Sequence, residues 1–158
     1  MKKQETGICK ENISVLMSAY KNDDAKKLLK ALKSVYEQTV RPSEIILVLD
    51  GPVSQDILEE IKKYKEECPV LRVIALKENR GLGKALEIGL KQCSGKFVAR
   101  MDSDDISLPE RFEHQLTMLI EHPDISIVGT YIEEFVDGTN ELAGIRKVPL
   151  EHEQIVRY

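Results

Sequence analysis

The sequence predicts an α/β protein in which a mostly parallel sheet is covered by helices on both faces, an α/β/α sandwich. Three observations carry that expectation. Short apolar runs recur at ISVLMSA, EIILVL, LRVIAL and KFVARM, and strands buried on both faces read as such runs rather than as alternation. Between them lie stretches with apolar residues at helical spacing. Gly, Pro and Asp mark the junctions, as at Asp50-Gly51-Pro52 and Ser94-Gly95.

The elements follow in order. Residues 1–11, MKKQETGICKE, are polar and lack the apolar region of a signal peptide, so a disordered lead-in is expected there. Ile13–Ala19 is the first strand, and YKND is a polar link. Leu28, Leu32, Val35 and Tyr36 mark the first helix, which Pro42 cannot continue. Glu44–Leu49 is the second strand. Ser54 is positioned to cap a helix that presents Ile57, Leu58, Ile61 and Tyr64 on one face. Leu71–Leu76 is the third strand. Leu82, Ala85, Leu86, Gly89, Leu90 and Cys93 mark the apolar face of a third helix, and Lys96–Met101 is the fourth strand. Ser107 and Glu110 have the spacing of a capping box, with Pro109 in the first turn of a helix that directs Phe112, Leu116, Leu119 and Ile120 to the core. ISIVGTYIEEFV and ELAGIRKV, joined by DGTN, predict a hairpin or two edge strands. The last residues, from Glu151, read as the start of a helix, so the chain is expected to stop short of its domain's end. No repeat or second domain is legible, and residues 12–158 are expected to form one incomplete domain.

Composition excludes several classes. A net charge of −4 offers no basic surface for nucleic acid. The lysines fall mostly on helix faces, such as Lys26, Lys27, Lys30 and Lys33, and are expected to be solvated. Cys9, Cys68 and Cys93 are odd in number and fit no metal knuckle, so reduced thiols and a cytoplasmic setting are expected. No apolar run approaches the roughly 20 residues of a membrane span.

In open α/β sheets, ligands sit outside the carboxyl ends of the strands. That rule selects Ser18-Ala19-Tyr20, Asp50-Gly51, Asn79-Arg80-Gly81 and Asp102 to Asp105. Asp102-Ser103-Asp104 is a D-x-D sequence: carboxylates two apart at a strand end can converge on a hard divalent cation such as Mg²⁺ or Mn²⁺, or can form an acidic turn ahead of a helix. An EF-hand does not fit, because Ile106 and Ser107 stand where an oxygen ligand and Gly are required. Asp50 suits either a contact to a base or ribose or a tight turn. Asn79 to Lys84 offers backbone N–H groups and two cations to a diphosphate, without P-loop or G-x-G-x-x-G spacing. Tyr20 suits base stacking or half-burial. The histidines have no metal-ligand spacing and are expected on helix surfaces.

Taken together, ISVLMSAYKND, EIILVLDG, ENRGLGKALEIGLKQCSGKFVARMDSDD, LPERFEHQLTML and VGTYIEEF resemble the inverting glycosyltransferases of family 2, above all the bacterial capsule, O-antigen and exopolysaccharide type. The resemblance implies the GT-A fold, a Rossmann-like three-layer arrangement, and transfer from a nucleotide-sugar, UDP before GDP or dTDP, to a hydroxyl of a saccharide or lipid-linked saccharide. It puts base and ribose contacts on Ala19, Tyr20 and Asp50, and the diphosphate and its Mn²⁺ or Mg²⁺ on Asp102 and Asp104 with Ser103 between them. Asn79, Arg80, Gly81 and Lys84 fall near the nucleotide. It implies a cytoplasmic protein at the inner face of the membrane, and a general base beyond Tyr158. Ser18-Ala19-Tyr20-Lys21 and Leu49-Asp50-Gly51-Pro52 depart from the Pro-Thr-Tyr-Asn and Asp-Asp-Gly-Ser that the family often carries there. Two readings from other classes stay open: a Mg²⁺-dependent phosphoryl-transfer or receiver-like domain, and a nucleotide-binding fragment without turnover.

Overall fold

The computed structural model describes residues 12–139 and 141–157; the lead-in expected over residues 1–11 lies outside them. The described chain falls into two compact units, the first reaching Thr117 and the second starting at Met118.

The first unit is built on four parallel strands, β1 (Ile13–Ala19), β2 (Glu44–Leu49), β3 (Leu71–Ala75) and β4 (Phe97–Met101), in the order β3-β2-β1-β4. Helices α1 (Ala25–Tyr36), α2 (Gln55–Glu67), α3 (Leu82–Leu90) and α4 (Arg111–Glu121) follow them in alternation. The order is that of the first four strands of a Rossmann sheet, and differs from the 2-1-3-4-5 of receiver domains. The central strands are apolar on both faces because helices cover both. Ile13, Val15, Met17, Ile45, Leu47 and Leu49 share one core with Leu28 and Leu32 of α1, Ile57 and Ile61 of α2, and Phe112 and Leu116 of α4. The alternate residues Leu16, Ile46 and Val48 pack against Ala85 of α3 on the other face. Gly89 lets α3 approach that closely: a Cβ there would lie 2.5 Å from Leu16 Cδ1 and 2.7 Å from Val48 Cγ2.

Several expected core positions turn out to be exposed. β3 and β4 lie at the sheet edges and are less buried than the central strands; β4 alternates in burial, leaving Val98 exposed. Leu58, Leu82 and Leu90 are also exposed, because α2 and α3 each cover one side of a four-stranded sheet and need a narrower apolar stripe than the sequence offers. Of the predicted α4 face, Phe112 and Leu116 are buried, whereas Ile120 is exposed.

The capping box is not formed. α4 begins only at Arg111, and the amide of Phe112 donates to Oε1 of buried Gln38 at 3.1 Å. Gln38 Nε2 donates in turn to the Leu108 carbonyl at 2.8 Å. A side chain from just past α1 thus satisfies an orphan amide in the first turn of α4, two residues beyond the Glu110 amide that a capping-box Ser107 would take. The Ser107 amide goes to Ser34 Oγ, and its own buried hydroxyl has no hydrogen-bond partner.

At the amino ends of the strands, Glu44 gathers a polar network. Its carboxylate accepts from Ser14 Oγ at 2.7 Å, Ser94 N at 2.5 Å, Ser94 Oγ at 2.8 Å and Arg72 Nη1 at 3.0 Å. Burial pushes this carboxyl up, but the Ser94 amide, the two hydroxyls and Arg72 outweigh it and bring it down to about 2.

The second unit contains an antiparallel hairpin, β5 (Ile132–Phe135) and β6 (Leu142–Arg146), and a short α5 (His152–Ile155). The expected hairpin is present but shorter, with residues 125–131 outside the strands. No helix among the described residues is long and apolar enough to cross a membrane.

Candidate functional site

The strand order reverses between β1 and β4, and the crevice at such a point is where open α/β sheets bind ligands. Two linked groups of predicted residues stand around it.

The first group is held by Asp50, 3% exposed at the end of β2. Its Oδ1 accepts from Arg80 N at 2.7 Å and its Oδ2 from Gly81 N at 2.9 Å, while Asn79 Nδ2 donates to the Asp50 carbonyl at 3.1 Å. The loop after β3 is thereby fastened to the end of β2. Gly51 is required here: its φ is +86°, and a Cβ would lie 2.5 Å from Asn79 N. Asp50 N donates to Ala19 O at 2.8 Å, which brings the end of β1 into the same group. Lys84 is turned away along α3, paired with Glu87 at 2.7 Å.

The second group surrounds the acidic run after β4. Asp102 is ion-paired with Arg100. Asp104 is exposed, and its carboxylate has no hydrogen bond or ion pair to any described residue. Burial, followed by repulsion from Asp102 and Asp104, pushes the Asp105 carboxyl up. Among the described residues no three His, Cys, Asp or Glu side chains are grouped to hold a cation by themselves.

Sequence reasoning missed two residues here. Arg111, whose guanidinium burial makes less basic than usual, donates to the Arg100 carbonyl at 2.9 Å and to Met101 Sδ at 3.2 Å. Asp23 accepts from Ser103 Oγ at 2.8 Å and from Tyr20 N at 3.1 Å. The adjacent Asp24 caps α1, accepting from the amides of Lys26 and Lys27; a D-D pair before a helix signals a cap but does not say which acid reaches elsewhere. Tyr20 itself is 42% exposed. A depression on the outer face of α2, lined by Gln55, Leu58, Glu59 and Lys62 among others, is a solvated helix surface on an element apart from these loops.

Residues 14–156 match the glycosyl transferase family 2 profile. The chain belongs to that family. It is 39% identical over 145 residues to an uncharacterized glycosyltransferase of Haemophilus influenzae, covering 92% of this chain and 54% of that protein. It is 38% identical to the amylovoran biosynthesis glycosyltransferase AmsE of Erwinia amylovora, with 92% and 53% covered. It is 37% identical to the UDP-Gal:alpha-D-GlcNAc-diphosphoundecaprenol beta-1,3-galactosyltransferase of Escherichia coli, with 92% and 52% covered. This family 2 chain therefore spans about half the length of the curated relatives it matches. Among solved structures it resembles S. aureus TarS 1-349 in complex with UDP-GlcNAc, with a TM-score of 0.64, 27% identity, and coverage of 88% of this chain and 37% of that one. The fold is the GT-A arrangement that the resemblance implied.

Proposed function

We propose that residues 12–158 are the nucleotide-sugar-binding part of an inverting, metal-dependent glycosyltransferase of surface polysaccharide synthesis. UDP is the expected nucleotide of the donor. The observation that carries the reading is the exposed Asp104 carboxylate, without a hydrogen-bond or ion-pair partner among the described residues, beside Asp102 at the point where strand order reverses. Two exposed carboxylates are a hard-oxygen donor set that suits Mn²⁺ or Mg²⁺, which take their remaining ligands from phosphate and water. The Asp105 carboxyl is raised first by burial and then by repulsion from Asp102 and Asp104, and a cation would relieve the second of these. Asp104 is the better direct ligand, since Asp102 already has Arg100 as its counter-charge. When bound, the ion supplies positive charge to the departing diphosphate.

Ala19, Tyr20 and Asp50 are assigned to the base and ribose. Asn79, Arg80, Gly81 and Lys84 are assigned to the neighbourhood of the nucleotide, with Ser103 between the two acids. The acceptor oxygen, from a saccharide or lipid-linked saccharide, forms its bond to the anomeric carbon as the bond to the diphosphate oxygen breaks. A general base takes the hydroxyl proton; Glu134 is ill-suited to that task, since Arg146 engages its carboxylate. The reaction is assigned to the cytoplasm, at the inner face of the membrane. The named UDP-Gal and UDP-GlcNAc of two similar proteins favour a UDP-sugar.

The test is titration of UDP, GDP and dTDP into this chain with Mn²⁺ and with EDTA. Binding of UDP that needs Mn²⁺ supports the reading. Equal affinity in both conditions overturns the metal role, and no nucleotide binding overturns the function.

A further inference from the structure

Asp23 reaches from the loop after β1 to the acidic run after β4. One of its oxygens, Oδ2, accepts both the Tyr20 amide at 3.1 Å and the Ser103 hydroxyl at 2.8 Å. β1 and β4 are neighbours in the sheet, with Met17 opposite Met101, so Tyr20 and Ser103 leave adjacent strands at the crevice. Ser103 stands between Asp102 and Asp104 in the chain. Asp102 leans on Arg100 of its own strand, and Asp104 has no hydrogen-bond or ion-pair partner among the described residues. The hydroxyl of Ser103 therefore ties this turn to the loop after β1. The Asp23 backbone is itself fixed, its amide donating to the Tyr20 carbonyl at 3.1 Å, while Asp24 anchors the following helix.

We infer that Asp23 is a positioning residue, which through Ser103 sets the direction of the Asp102 and Asp104 carboxylates without itself touching the cation. The inference rests on the proposed function for its ligand. Partners of this outer kind orient metal-binding groups, and losing one typically weakens metal affinity about 10–100-fold. An acceptor oxygen is what the tie requires. A negative charge is not, so Asn in place of Asp23 keeps the tie and Ala removes it.

The test uses Asp23→Ala, Asp23→Asn, Ser103→Ala and the double variant Asp23→Ala/Ser103→Ala, with two measurements. The first is amide hydrogen exchange of residues 102–105, which needs no ligand. Faster exchange in Asp23→Ala and Ser103→Ala, but not in Asp23→Asn, is expected; unchanged exchange in Asp23→Ala overturns the inference. The second is the Mn²⁺ concentration that half-saturates UDP binding. It should rise about 10-fold in either Ala variant, rise no further in the double variant, and return close to the parent value in Asp23→Asn. A loss in Asp23→Asn as large as in Asp23→Ala would make Asp23 a direct ligand and overturn its positioning role. If the parent shows no Mn²⁺-dependent UDP binding, the metal role in the proposed function falls, and the exchange measurement still decides the tie.

Discussion

Replacing Glu44 by Gln tests the polar network at the amino ends of the strands. The carboxyl is held at about 2 against an ordinary 4.5, with its side chain 9% exposed. Each pKa unit is worth about 1.4 kcal/mol, so the ionised form contributes about 3 kcal/mol to folding at neutral pH. The folded value is depressed, so this stability is fully present above pH 4.5 and is lost as pH falls toward 2. Gln cannot ionise, and its amide turns a donor toward the Ser94 amide or Arg72. Urea unfolding of the first unit at pH 7 is expected to show a deficit of about 3 kcal/mol, a midpoint shift of about 1.5 M for an m-value near 2 kcal/mol/M. Repeating the titration at falling pH is the sharper measurement. Other carboxylates titrate equally in both proteins, so the gap should narrow between pH 4.5 and 2. A deficit under about 0.5 kcal/mol at pH 7, or one that does not change with pH, would refute the reasoning.

Three further outcomes follow from the geometry. Asp104→Asn should abolish the Mn²⁺-dependent part of UDP binding in a calorimetric titration while leaving Tm unchanged or higher, because it relieves like-charge repulsion around Asp105. Asp50→Ala removes the acceptor of two backbone amides and should lower stability by about 1–3 kcal/mol in urea; unchanged stability would show that Asp50 does not anchor the loop. Gly89→Ala should lower stability by about 1 kcal/mol, since the crowding against Leu16 and Val48 outweighs the helical preference for Ala. A gain in thermal unfolding temperature would contradict that.

The sequence was most legible where one physical demand dominates. β1 and β2 are buried on both faces, and nothing but an apolar run serves there. The cap at Ser54 is local, and its side chain accepts from the Ile57 amide as the spacing predicts. Legibility failed where the partner comes from far along the chain. Ser107 and Glu110 match a capping box, but the helix starts later, at Arg111, where Gln38 takes the Phe112 amide, and the Ser107 amide goes to Ser34 of α1. Leu82 and Leu90 continue the helical period past the width of the sheet that α3 covers. In the candidate site, the acidic run and the Asn79-Arg80-Gly81 loop were singled out because strand ends select them. Asp23 was not, because a hydrogen bond to Ser103 depends on which strand lies beside β1, and strand order is not a property of either segment alone.

That strand order also dictates when the site comes into being. β1, β2 and β3 pair in sequence order, each with its predecessor, and bury most of one core as they do so. β4 instead returns past all of them to β1, from Phe97 to Ile13, the most distant pairing in the sheet and hence the one with the largest loop-closure entropy. The acidic turn travels with β4. On the proposed function, a nascent chain would carry the Asp50-anchored loop before the acidic turn is in place, and a nucleotide that needs both would recognise only molecules whose last strand has docked. A nucleotide bound as proposed would, during refolding, act on that docking equilibrium and leave the assembly of the earlier strands untouched.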